Sequence, residues 1–194
     1  EGVFTPGLEY AGRIAAVGEG VERYRPGDRV MGVTRFGAYV THLNIDTRYV
    51  LPIPDDWSTA EGAAYLVQVL TAYYGLRNLG DLQRGQTVLI HSAAGGVGTF
   101  AGRIARAYDC YTIGTVGSEA KIDYLRREGY HDWIVRDPRT FRADLQRALG
   151  ERELHLVMEC IGGQILKAGF EALAPMGRMI VYGSARYGSV GNRP

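Results

Sequence analysis

The residues with the clearest chemical potential are small ones. Val88–Gly98 reads VLIHSAAGGVG: an apolar strand run, a turn of small residues and the opening of a helix at Thr99, Phe100 and Ala101. The turn follows the pattern Ala93-x-Gly95-x-x-Gly98, a dinucleotide fingerprint with alanine in its first slot. Where Cβ atoms are missing the main chain can approach a pyrophosphate, and the free N–H groups and positive end of the following helix neutralise it. A tight strand-to-helix turn without a ligand is the alternative, so the pattern gains weight only from the strand before it and the βα units after it.

The next question is what such a turn would hold. A site for NAD places an acidic residue about 20 positions on, at the end of the second strand, where it binds the adenosine ribose. Here the strand Tyr111–Val116 ends in valine and continues as Gly117-Ser-Glu-Ala-Lys121, with no carboxylate at that position. Ser118 offers a hydroxyl. Lys121, one of two lysines in the chain, lies where a 2′-phosphate needs a cation, and Arg136, closing the third strand, offers another. Two solvated surface charges are the alternative reading of Lys121 and Arg136, and Glu119 could swing in to serve NAD. The pattern favours NADPH.

These side chains need a scaffold, and the chain supplies two kinds of element. Up to about residue 50, short apolar runs (Arg13–Val17, Arg29–Val33) alternate with turns such as Gly18–Gly20 and Pro26–Asp28, which predicts antiparallel barrel or sandwich pieces. Leu51–Asp56 is a proline-rich connector. Ser58 (or Thr59) with Glu61 then makes a capping-box start for a helix running through Leu66, Leu70 and Tyr73. From Thr87 onward, strands at Val88–Ile90, Tyr111–Ile113, Trp133–Val135, Leu156–Met158 and Met179–Tyr182 alternate with helices starting near Val97, Glu119, Thr140 and Gln164. Strands separated by such helices require right-handed crossovers and a parallel sheet covered on both faces, so the fold class is α/β, a doubly wound (Rossmann) sheet. Five strands are counted where that fold has six. The expected division is a β segment over 1–52 and a dinucleotide-binding domain over 53–194 that lacks its last strand.

Composition narrows the function classes. The 194 residues are 46% hydrophobic and 22% charged, the range of ordinary globular chains, and the net charge of +1 gives no electrostatic case for nucleic acid or a membrane surface. Cys110 and Cys160 lie far apart with no CxxC pair, so neither a disulfide framework nor a structural zinc lobe can be built from them, and Cys160 reads as a small apolar core residue. His42, His91, His131 and His155 are scattered. No run of about 20 apolar residues and no signal-peptide pattern is present, which gives a cytoplasmic expectation. The missing initiator methionine and the stop at Asn192–Pro194 directly after a strand-like run suggest a fragment.

Seven segments together resemble the medium-chain dehydrogenase/reductase superfamily: Pro6–Gly12 (PGLEYAG), Val17–Val21 (VGEGV), Gly27–Val30 (GDRV), Leu70–Tyr74 (LTAYY), Ala93–Gly98 (AAGGVG), Gly117–Lys121 (GSEAK) and Gly177–Gly183 (GRMIVYG). Within it the chain looks like the zinc-independent quinone oxidoreductases and the vesicle amine transport protein homologues. The resemblance implies that residues 1–52 are part of a GroES-like domain. It implies a cofactor site lined by Thr71, Gly95, Gly96, Val97, Ser118, Lys121, Arg136, Tyr182, Gly183 and Ser184, although the family's equivalent of Arg136 is often tyrosine. Zinc-dependent relatives carry a histidine before the glutamate of the first segment and a cysteine ahead of the helix threonine. Leu8 before Glu9 and Tyr65–Gln68 before Thr71 offer neither, so no metal is expected. The implied chemistry is hydride transfer from NADPH to a quinone or an α,β-unsaturated carbonyl. The alternatives are a non-catalytic NADPH-binding or interaction protein and an enoyl-reductase domain of a polyketide synthase. No catalytic residue is assigned: a tyrosine hydroxyl or water could supply the proton, and Gln68 reads as a helix residue before it reads as a carbonyl ligand. A homodimer is expected, paired through an edge strand beyond Pro194.

Overall fold

A computed structural model describes residues 4–185, which fall into two compact units divided between Gln68 and Val69. In the first unit, β1 (Glu9–Arg13), β2 (Arg29–Val33) and β3 (Val50–Pro52) form an antiparallel sheet in that order, with Glu9 opposite Val33 and Val30 opposite Pro52. The expected strand Arg13–Val17 is therefore displaced: only Arg13 belongs to β1. The bonds Ile14 N–H to Asp28 O (3.0 Å) and Gly27 N–H to Ile14 O (2.8 Å) close the β1–β2 ladder there, leaving the small apolar run Ala15–Val17 without a partner strand among the described residues.

The capping box forms as the sequence predicts: the Ser58 amide donates to Glu61 Oε2 at 2.7 Å and the Glu61 amide to Ser58 Oγ at 3.1 Å. The helix it starts is interrupted rather than continuous. α1 (Thr59–Ala63) stops at Ala64, α2 (Leu66–Tyr73) follows, and a π-helical stretch covers Tyr74–Leu79. Packing explains the break: Leu66 is buried against Met31 and Ile53, and the Tyr65 ring meets Trp57 edge-on at 4.6 Å. The two compact units divide at Gln68/Val69. Gly62 of α1 leaves room for Ile53, which would stand 3.1 Å from a Cβ there, so residues 53–68 belong with the antiparallel sheet.

The second unit is built on β4 (Thr87–Ile90), β5 (Tyr111–Val116), β6 (Asp132–Val135), β7 (Leu154–Glu159) and β8 (Leu173–Val181), all parallel, in the order β6-β5-β4-β7-β8. Four helices connect them: α3 (Gly96–Ala107), α4 (Ile122–Arg127), α5 (Phe141–Leu149) and α6 (Gly163–Glu171). Strand alternation divides the core in two. Val88, Ile90, Leu156 and Met158 pack with Ala101 and Ala105 of α3, while Leu89, Ile113 and Val157 pack with Phe141 and Leu145 of α5 and Ile165 of α6. Burial on both faces is what makes this half an α/β fold. The strand order reverses between β4 and β7, where such sheets open a crevice at their carboxyl ends. The expected sixth strand and pairing edge lie outside the described residues. No helix among them is long and apolar enough to cross a membrane.

Candidate functional site

The glycine turn sits between β4 and α3, and each small residue in it has a steric reason. A Cβ on Gly98 would stand 2.6 Å from Ala93 Cα, so the helix can start this close to the strand only without one. Ser92 takes the left-handed conformation (φ 50°) that turns the chain back over the strand end. Gly95 caps α3 in extended geometry, its carbonyl accepting from the Thr99 amide at 2.8 Å and the Thr99 hydroxyl at 2.9 Å. Gly95 and Gly96 are exposed, and the amides of Gly96, Val97 and Gly98 form the first helical turn, where an α-helix leaves its donors unpaired within itself. Below, the buried Tyr130 hydroxyl donates to Gly98 O at 2.7 Å, and its ring occupies space left by Gly102 and Gly114. Burial pushes that phenol above its ordinary range, so it remains a donor.

At the adenosine end suggested by the sequence, β5 finishes at Val116 and residues 117–121 form an exposed turn. Ser118 caps a short 3₁₀ turn (Glu119–Lys121), its Oγ accepting from the Ala120 amide at 3.4 Å. Arg136 is brought beside this turn: its amide donates to Val116 O at 2.8 Å, and its Nη2 would lie 3.4 Å from a Cβ on Gly117. Its Nη1 is engaged, donating to Thr115 O at 3.1 Å and Thr115 Oγ1 at 2.9 Å. Arg136 is therefore half-buried and held, whereas Lys121 is exposed on the turn itself.

On the other side of the reversal, the segment after β8 runs back over the β7 exit. The Tyr182 amide donates to Glu159 O at 3.0 Å and the Ala185 amide to Cys160 O at 2.9 Å. Gly183 passes close to Cys160, and the Ser184 hydroxyl is buried with no hydrogen-bond partner among the described residues. Burial, followed by the neighbouring Cys160, pushes the Tyr182 phenol up. Cys160 is partly buried and packs against the core formed with α5 and α6. Thr71 lies half-buried on α2 (Leu66–Tyr73).

Sequence reasoning missed a buried polar row beneath this rim. His91, directly after β4, and Glu159, ending β7, have fully buried side chains, with Nε2 and Oε2 3.2 Å apart across the strand-order reversal. His91 Nδ1 lies 2.9 Å from Thr115 Oγ1. Glu159 Oε1 accepts from the amides of Ile161 and, at 2.8 Å, Gly162. Burial, and then Arg136, lowers the His91 pKa to about 3, so the ring is neutral at pH 7. The available signal was a histidine and a glutamate each closing an apolar strand run, positions where a charge needs a partner.

Among the described residues no group of three His, Cys, Asp or Glu side chains is arranged to hold a metal. Glu9, which the sequence places in the first family segment, uses its Oε2 to accept from the Val67 amide at 3.0 Å. The residues at the carboxyl edge fit a dinucleotide: an exposed glycine turn on a helix start, a held guanidinium beside Gly117, and a buried hydroxyl lacking a partner among the described residues.

Comparison with known proteins agrees with this layout. A family model described as alcohol dehydrogenase GroES-like domain matches residues 2–55, and one described as zinc-binding dehydrogenase matches residues 96–191. The human synaptic vesicle membrane protein VAT-1 homolog is 35% identical over 181 residues, covering 93% of this chain and 46% of its own length. Among solved structures, Escherichia coli quinone oxidoreductase complexed with NADPH superposes with a TM-score of 0.83 at 30% identity, covering 92% of this chain and 55% of that one. The CurK enoyl reductase does so with a TM-score of 0.83 at 32% identity, covering 91% and 53%. The chain thus spans about half the length of these relatives.

Proposed function

The chain belongs to the medium-chain dehydrogenase/reductase superfamily, and from that premise we propose that it is the cofactor-binding part of an NADPH-dependent reductase of quinones or α,β-unsaturated carbonyls. The observation that carries this reading is the chemistry beside β5: the Arg136 guanidinium lies beside Gly117, the next residue supplies the Ser118 hydroxyl, and valine stands where a carboxylate would bind an unphosphorylated ribose. A neighbour with NADPH in its crystal structure supports it.

When bound, NADPH supplies the hydride. The chain's own groups bind and orient. The Gly96–Gly98 amides and the start of α3 take the pyrophosphate. Ser118, Lys121 and Arg136 take the 2′-phosphate as hydroxyl donor, exposed cation and held guanidinium respectively. Tyr182, Gly183 and Ser184 border the reacting end, where the unpartnered Ser184 hydroxyl can receive or give one hydrogen bond to a carboxamide. Leu8 and Tyr65–Gln68 put no ligand at the positions where zinc-dependent relatives bind their metal, so we assign no Lewis acid to these residues. An acceptor that is already electron-poor then fits best. The proton that completes reduction comes from water or a tyrosine hydroxyl, and the whole protein acts as a homodimer in this reading.

The test is a fluorescence titration with NADPH and NADH, followed by consumption assays with 9,10-phenanthrenequinone and a short enone. Preferential NADPH binding with turnover of either acceptor is expected. Tighter NADH binding would overturn the cofactor assignment, and NADPH binding without turnover in the full-length protein would leave a binding protein. The likeness to CurK favours a second reading, in which the enone is carrier-bound. A strong preference for an enoyl thioester over the quinone would select it.

A further inference from the structure

His91 is buried, at the point where the strand order reverses, and nothing in the proposed chemistry uses it. Its surroundings form a row that follows the strand order of the sheet, one residue per strand: Arg136 after β6, Thr115 on β5, His91 after β4 and Glu159 on β7. The hydrogens in this row can be assigned from chemistry. A guanidinium only donates, so Thr115 Oγ1 accepts from Arg136 and its own hydrogen is free for His91. The Glu159 Oε2 carboxylate oxygen at 3.2 Å draws the single ring proton to Nε2, which leaves Nδ1 to accept from Thr115. The Nε2–Oε2 approach is close but not well aligned, and neither atom has another hydrogen-bond partner among the described residues. Glu159 in turn holds the Ile161 and Gly162 amides, and its own carbonyl and that of Cys160 hold the segment through Ala185.

The two ends of this row coincide with the two ends of the proposed cofactor site. Arg136 stands beside Gly117–Ser118, and the Cys160–Gly162 turn carries Tyr182–Ser184. We infer that His91 is a positioning residue: seated between Thr115 and Glu159, its neutral ring fixes the Arg136 guanidinium at the adenosine end and the 160–162 turn at the reacting end in one arrangement. The inference rests on the NADPH reading above. The row contains one cation, one anion and a neutral bridge, so a charge change at its centre would leave a buried ion uncompensated.

Two measurements test it. In the first, NADPH and NADH dissociation constants are compared in wild type, Thr115→Val and Thr115→Ser. The valine removes only the hydroxyl from a buried site of the same shape. It should weaken NADPH about tenfold or more while leaving NADH within about twofold, and serine should restore the preference. His91→Leu should lose the preference in the same way, and His91→Asn, which can still accept from Thr115, should regain it. In the second, nitrogen-15 NMR of the ring at pH 7, on protein without cofactor, should find a proton on Nε2 and none on Nδ1. A proton on Nδ1, or a Thr115→Val protein that retains the full wild-type preference for NADPH, would overturn the role of His91. A wild type with no preference for NADPH would instead remove the cofactor reading beneath it. The NMR result does not depend on that reading and separates the two failures.

Discussion

The exposed rim of the carboxyl edge and the buried row beneath it both carry polar and charged side chains, and they do different work. On the rim, Ser118 and Lys121 face water, where a charge interacts through a high dielectric and its loss is largely compensated by solvent. In the row, His91, Thr115 and Glu159 have no access to water, so each polar atom depends on its protein neighbours. The difference teaches that, in the proposed reading, direct contact with the cofactor belongs to the rim and most of the stability to the row, and that Arg136, reaching from one into the other, is the route by which the row acts on cofactor preference.

The largest expected effect breaks the lower layer. Glu159→Ala removes the acceptor for two amides and the carboxylate opposite His91. It should cost about 2 to 6 kcal/mol of unfolding free energy in urea, from two buried amides left without an acceptor at about 1 to 3 kcal/mol each. A loss comparable to a surface substitution would place Glu159 in the upper layer instead.

Acid acts on the same layer. His91 is depressed to about 3 in the fold and returns to about 6.5 when unfolded, so between those values the unfolded chain binds the extra proton. The stability contributed by keeping the ring neutral is complete above pH 6.5 and falls away as pH drops toward 3, by about 1.4 kcal/mol per pH unit from this group. Urea midpoints between pH 7 and 4 should therefore fall more steeply for wild type than for His91→Asn. Parallel curves would show that His91 does not titrate as a buried group.

The upper layer should answer the other way. Lys121→Ala is expected to weaken NADPH by about 1.5 to 3 kcal/mol, leave NADH almost unchanged, and alter stability by less than about 0.5 kcal/mol. Equal losses for both coenzymes would contradict its assignment to the 2′-phosphate. Smallest is Ser118→Ala, which removes a weak exposed cap and should cost about 0.5 to 1 kcal/mol in stability, with a similarly small loss of NADPH binding by titration.

Much of this could be read along the chain because its causes are local. The Ser58–Glu61 capping box, the glycine turn ahead of α3 and the five parallel strands are written in residues a few positions apart, and so is the turn carrying Ser118 and Lys121. Where partners decide, the reading slipped. β1 moved to Glu9–Arg13 because that segment, and not the apolar run after it, matches the ladder of β2. The helix after Ser58 broke at Ala64 because Leu66 and Tyr65 pack back on Met31, Ile53 and Trp57.

By itself the sequence determined the βα rhythm, the steric need for Gly98 and the missing carboxylate after β5, since backbone sterics and hydrophobic periodicity act over a few residues. Only the tertiary structure decided that Arg136, Thr115, His91 and Glu159 share one row. They are up to 68 residues apart in sequence, and what joins them is the lateral order of the strands, which no local pattern encodes. A histidine's protonation and a guanidinium's direction depend on whatever that order brings alongside.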